Sequence, residues 1–221
     1  MNISIPGLIR WAGFAAMAAG LSYTLVGVLH PANEASTITS SAWIAAHILA
    51  MATSFFGLFG LTGLYARQAE KSGWLGLAGY LLLSLWLALV LGFTFVEVLV
   101  LPTLANASPA FVAGWLGLFN GTASDIDLSA LSTVWTLTAP LYILGGMLFG
   151  IATFRARILS RWAGLLLAAG TVMGPVAAFV PLDWQPKAAI PVGIALLWLG
   201  YSLWSERRVR ASAITPAGLT A

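Results

Sequence analysis

Three side chains in this 221-residue chain can exchange a proton or donate to a metal from within strongly apolar sequence: Glu97, His47 and His30. A carboxylate and two imidazoles are the donor types of a proton relay, a divalent-metal site or a haem axial pair, and ionisable groups at membrane depth are where function would show, although isolated histidines near a membrane interface are more often hydrogen-bonded structural residues. At 1.5 Å per helical residue, Glu97 lies about 35 Å beyond Trp74. By the same rule His30 lies about 30 Å beyond Arg10, and His47 about 30 Å from Arg67 on the return path. All three reach one level, the edge of a hydrocarbon core about 30 Å thick, where a charge costs little and can snorkel to water.

Helical spacing supplies neighbours. His47, Met51, Ser54, Leu58, Thr62 and Tyr65 share a partly polar stripe, Tyr23 and His30 are seven apart on one face, and Glu97 lines up with Thr94, Phe93, Val90, Trp86 and Gly79. The expected ligand-binding set is therefore Glu97, His47, His30, Tyr23, Met51, Ser54 and Thr94. No His-x-x-x-His or Glu-x-x-His spacing supports a preformed metal site, so no cofactor is predicted, and haem or a divalent metal at His30 and His47 is the alternative. No hydrolase elbow, P-loop, dinucleotide fingerprint or zinc-protease helix occurs, and the expectation is a non-enzymatic protein with no catalytic residue.

The elements that must carry these groups are membrane helices. Hydrophobic residues make up 60% of the chain and charged residues 8%, with a mean hydropathy of +0.93, against roughly 25% charged residues in a soluble domain. Apolar runs predict six spans: about Trp11 to Leu29, Ala42 to Tyr65, Trp74 to Leu101, Leu131 to Phe154, Trp162 to Val180 and Ala188 to Trp204. The fold class is all-α, a six-transmembrane-helix bundle forming one domain over 1–210, with a disordered tail at 211–221. Pro109 to Phe119 is too short to span; Ser108, Pro109 and Asn120-Gly121 frame it as an interfacial or re-entrant helix between spans three and four. Span one, preceded by Arg10, is long for a cleaved signal peptide and is read as retained.

Basic residues set the orientation. Arg10, Arg67, Lys71, Arg155, Arg157, Arg161, Arg207, Arg208 and Arg210 fall on one side and only Lys187 on the other, which puts both termini in the cytoplasm. Asp125 and Asp127 suit the start of span four, as the bases suit the ends of the even spans. The net charge of +3 and pI near 9.6 are thereby explained without nucleic acid. The opposite side holds both histidines with Glu34, Glu97, Asp125, Asp127 and Asp183. There is no cysteine, which excludes disulfides, thiolate metal sites and cysteine nucleophiles.

Arg10-Trp11-Ala12-Gly13, Lys71-Ser72-Gly73-Trp74-Leu75-Gly76 and Arg161-Trp162-Ala163-Gly164 open spans one, three and five, and Pro31, Pro102 and Pro181 follow them. The pattern fits three parallel hairpin repeats, and equally the ordinary placing of tryptophan, arginine and proline at membrane interfaces. Gly57, Gly60, Gly63, Gly146, Gly150, Gly170 and Gly174 offer close helix packing. Pro140 and Pro175 should kink spans four and five, with Thr136 a candidate to satisfy a freed carbonyl.

Leu144-Gly145-Gly146-Met147-Leu148-Phe149-Gly150, Arg155 and the run from Leu159 to Gly170, with Ala46-His47, Gly63-Leu64-Tyr65-Ala66-Arg67 and Phe95-Val96-Glu97, resemble uncharacterised multi-pass bacterial membrane proteins of the domain-of-unknown-function type. The resemblance covers about half of the chain. It implies a bacterial inner-membrane location and a six-helix bundle, and carries no activity. Three readings stand: an outward-facing pocket near Glu97, His47 and His30 for a small molecule or ion, with binding or transport; a structural or accessory subunit; or a haem- or metal-binding redox protein. The expected partners are the lipid bilayer, a small-molecule ligand and a second copy or a partner membrane subunit.

Overall fold

The computed structural model describes residues 4–123, 125–177, 181 and 184–214, and these contain helices and no strand. Helix α1 (Ile5–Leu29) starts on Ser4, whose Oγ accepts the Gly7 N–H at 3.2 Å. It stops because Pro31 forces the residue before it out of helical geometry, leaving His30 extended at the C-cap. Helix α2 (Ser41–Phe95) begins at Ser40, which accepts the Trp43 N–H. Then come a π-helical turn (Val96–Val100), α3 (Leu101–Leu104), α4 (Pro109–Asn120), α5 (Ala130–Ala156), α6 (Arg161–Ala177), a 3-10 turn (Gln185–Ala188) and α7 (Ala189–Ile214).

Regular helix runs unbroken through the expected loop between spans two and three, apart from one residue. Gly73 has φ 56° and ψ −153°, a conformation open in practice only to glycine. Around it the chain reverses: the Thr62 and Tyr80 hydroxyls are 3.2 Å apart, the Tyr65 and Tyr80 rings stack at 4.8 Å, and the Trp43 indole reaches the Glu97 carbonyl. The two limbs of α2 therefore lie antiparallel, side by side.

Four segments of the described residues are long and apolar enough to cross a membrane: Gly7–Leu29, Ser41–Leu104, Ala130–Ala156 and Gln185–Ser205. The outer surface agrees, since Phe59, Leu81 and Leu137 are each more than half exposed; lipid tolerates such a surface and water does not. Trp11, Trp74 and Trp162 are exposed at the end that carries the arginines, where Arg161 stands over the Trp162 ring at 4.8 Å.

Small residues let the helices touch. A Cβ on Gly79 would strike the Phe149 backbone of α5, Gly150 meets Gly164 and Ala168 of α6, and Gly200 of α7 meets Gly13 and Met17 of α1. Gly146 abuts Thr171, while Gly174 has only ordinary contact with Tyr142. One core cluster, including Leu64, Leu83, Phe149, Leu167 and Leu199, joins these helices.

A second cluster at the histidine end gathers Ile38, Trp43, Phe93, Leu101, Val112, Trp115 and Leu116. Helix α4 supplies the last three. It follows Ser108 and ends at Gly121 in left-handed geometry, φ 67°, as the sequence marks it, although the Ser108 side chain makes no capping bond.

Several details differ from expectation. The Thr136 hydroxyl donates to the Ser132 carbonyl at 2.9 Å, so it does not relieve the carbonyl that Pro140 frees. Helix α7 continues to Ile214, four residues into the expected tail. Residues 215–221, Val180 and Asp183 lie outside the described residues.

Candidate functional site

Glu97 occupies the π-helical turn, whose register leaves the Glu97 carbonyl without a partner in its own helix. Within it the Leu101 N–H bonds to the Val96 carbonyl, not to that of Glu97. In the same register residue 102 would donate to the Glu97 carbonyl, but residue 102 is proline and has no N–H. The indole N–H of Trp43 fills the gap, donating to the Glu97 carbonyl at 2.9 Å. Trp43 thereby ties the two limbs of α2 together at the histidine end and fixes the backbone from which Glu97 projects.

The Glu97 carboxylate lies 3.5 Å from His47 Nε2. His47 stacks on Trp43, ring centroids 4.0 Å apart, and its ring centre is 4.8 Å from that of His30. The structure thus brings Glu97, His47 and His30 together. It also buries the pair: Glu97 is 4% exposed and His47 2%, so neither snorkels to water as the boundary position implies. The reason is α4, whose Val112 and Trp115 pack with Phe93 and Leu101 over this level.

Both imidazoles have a defined tautomer by elimination. His47 Nδ1 is 2.8 Å from the Trp43 carbonyl and His30 Nδ1 is 2.7 Å from the Pro31 carbonyl. A carbonyl only accepts, so each Nδ1 carries the hydrogen, and on a neutral ring Nε2 is a bare lone pair. A bare Nε2 facing an ionised carboxylate would set two acceptors against each other in a buried place. One proton on the His47–Glu97 pair removes the conflict, whether it rests on nitrogen or on oxygen. Trp115 is the other polar neighbour of the carboxyl; its buried Nε1–H makes no closed hydrogen bond. His30 lies beyond the end of α1, and burial holds its pKa below the ordinary imidazole value, against the opposing pull of its bond to Pro31.

These groups form part of the wall of a cavity of about 430 Å³. His30, Asn33, His47, Glu97 and Asn120 lie at one end, where Asn120 donates to the Asn33 carbonyl at 2.9 Å. Tyr23 and Trp86, roughly 10 and 16 Å further along their helices by residue count, lie at the other. There the Tyr23 and Tyr142 hydroxyls are 3.5 Å apart and Trp86 packs on both rings. Phe93, Phe119 and Trp135 add further aromatic wall.

Of the sequence-predicted set, Glu97, His47, His30, Tyr23 and Thr94 line this cavity. Met51 and Ser54 do not: Ser54 is 1% exposed with an unpartnered hydroxyl, and Met51 is half-buried elsewhere on the stripe. Further along the same limb Leu87 lies against Gly57. Trp43, Trp115, Trp135, Asn120 and Tyr142 are site residues that sequence reasoning missed. No sequence signal marks Trp43, because in an ordinary α register Pro102 frees the Val98 carbonyl and only the π register moves the gap to Glu97.

The two histidine rings are tilted by 57° with their centres 4.8 Å apart. Among the described residues no group of three or more His, Cys, Asp or Glu side chains is placed to hold a metal ion. Comparison with family models, with curated proteins and with solved structures finds no match for this chain.

Proposed function

We propose that this protein is a proton-linked binding or transport protein for a small molecule, with its site in the cavity beside Glu97, His47 and His30. The observation that carries the reading is the buried His47–Glu97 contact set into the cavity wall. A structural pin between helices needs no adjoining space, and a buried pair that requires one proton is a natural point at which to couple ligand and proton.

The same reading makes the chain a six-crossing protein of the bacterial cytoplasmic membrane. A helix of 64 residues would be about 96 Å long, three times the hydrocarbon core, so Ser41–Leu104 crosses twice around Gly73. Helix α6, at 17 residues, makes the remaining crossing. With both termini cytoplasmic by the distribution of arginine and lysine, the cavity opens outward and α4 lies along the outer interface.

A thermal-shift screen of small amphipathic solutes on the purified protein tests it. Compounds that bind the cavity raise the melting temperature of the wild type and leave Glu97→Gln unmoved. The reading fails if Glu97→Gln lowers stability while every stabilising compound acts on it as before, because the acid then serves only to hold helices together.

A further inference from the structure

We infer that the cavity takes a small lipophilic amine as its ammonium ion, and that each amine bound releases the one proton of the His47–Glu97 pair. The inference rests on the cavity being a ligand site and names the chemical class of its ligand.

Charge excludes the alternatives. Once the pair loses its proton, the carboxylate remains beside a neutral imidazole whose Nε2 is a lone pair, and a buried negative charge is left with two acceptor groups. An ammonium ion supplies what has been lost, a positive charge and N–H donors for both acceptors. The proton leaves to water, the ammonium replaces it, and the site is neutral before and after. No lysine or arginine lines the cavity among the described residues, so it offers an anionic ligand no fixed positive charge.

Of the other titratable groups around the pair only His30 can become a cation, and burial opposes its protonation. Helix α1 and its end contribute Tyr23 and His30, α5 contributes Tyr142, and the 3-10 turn contributes Gln185, which does not titrate. Lys187 stands over the Trp184 ring at 3.7 Å and is not part of the wall. Helix α4 brings the Trp115 N–H, a buried donor without a closed hydrogen bond beside the carboxyl, placed to stabilise the carboxylate once its proton has gone.

Shape and surface define the rest of the ligand. Trp86, Phe93, Phe119, Trp135 and Tyr142 give an aromatic wall that favours both an apolar body and a cation. At about 30 Å³ per small group, 430 Å³ holds roughly a dozen non-hydrogen atoms, the size of a single-ring aromatic amine.

Calorimetry on the full-length protein in detergent, with 2-phenylethylamine, 2-phenylethanol and phenylacetate as probes, tests this. Each titration is run in two buffers of different ionisation enthalpy, which counts protons on the wild type and depends on no variant folding. The expected result is binding of the amine alone, one proton released per amine, and affinity rising up to tenfold for each pH unit while the pair remains protonated. Trp115→Phe, which leaves the pair in place, weakens amine binding severalfold. Amine binding without proton release, or equal binding of the alcohol or the carboxylate, overturns the inference and leaves the cavity as a ligand site. Failure of all three probes to bind overturns the inference and the ligand site together.

Discussion

Replacing Trp43 by phenylalanine takes away the indole N–H bonded to the Glu97 carbonyl at 2.9 Å, together with some packing at a fully buried position, and the packing loss is common to both arms of a double-mutant cycle. That carbonyl cannot turn to its own helix, because Leu101 donates to Val96 and residue 102 is proline. A buried acceptor left unsatisfied costs about 1–3 kcal/mol. For a chain of this length about 2 kcal/mol corresponds to a melting point lower by roughly 4–8 °C. The informative experiment is the cycle with Pro102→Ala. Alanine restores an N–H that the π register directs at the Glu97 carbonyl, so Pro102→Ala in the Trp43→Phe background should recover about 1–2 kcal/mol and do much less in the wild type. Thermal unfolding in detergent of the four proteins gives the coupling energy. Additivity within about 0.5 kcal/mol would refute the claim that Trp43 substitutes for the donor that proline lacks.

Two further outcomes follow from the packing and the site. Gly79→Ala sets a methyl group against the Phe149 backbone and should cost about 1–3 kcal/mol in the same unfolding assay, whereas Gly92→Ala, with nothing near its Cβ, should be neutral or stabilising by up to about 1 kcal/mol. The lowered pKa of His30 means that below pH ~6.5 the unfolded chain takes up a proton there before the native protein does. Stability therefore falls as pH drops from that point until the native imidazole also protonates, and His30→Asn should flatten the slope measured by melting at successive pH values.

The parts of this protein that depend on length and periodicity were legible in its sequence. Counting 1.5 Å per residue placed Glu97, His47 and His30 at one level, and Ser108, Pro109 and Gly121 marked α4. What periodicity cannot supply is the surface opposite a given face. Met51 and Ser54 share the stripe of His47, yet of the three only His47 lines the cavity, so the stripe is cavity at one end and packing at the other. Depth alone likewise suggested groups that reach water, whereas α4 covers them. Periodicity also gives no partner for Trp43, which the reversal at Gly73 brings, 54 residues away in sequence, to the Glu97 carbonyl.

The absence of cysteine makes one measurement especially direct. Ala50 lines the cavity, while Ile48, two residues before it on α2, is 51% exposed on the outer surface of the bundle. In sealed vesicles with the extracytoplasmic side outward, Ala50→Cys should react with a membrane-impermeant thiol reagent and Ile48→Cys, facing lipid, should not. Labelling of Ala50→Cys only from the cytoplasmic side, or from neither side, would contradict an outward-facing site at Glu97, His47 and His30.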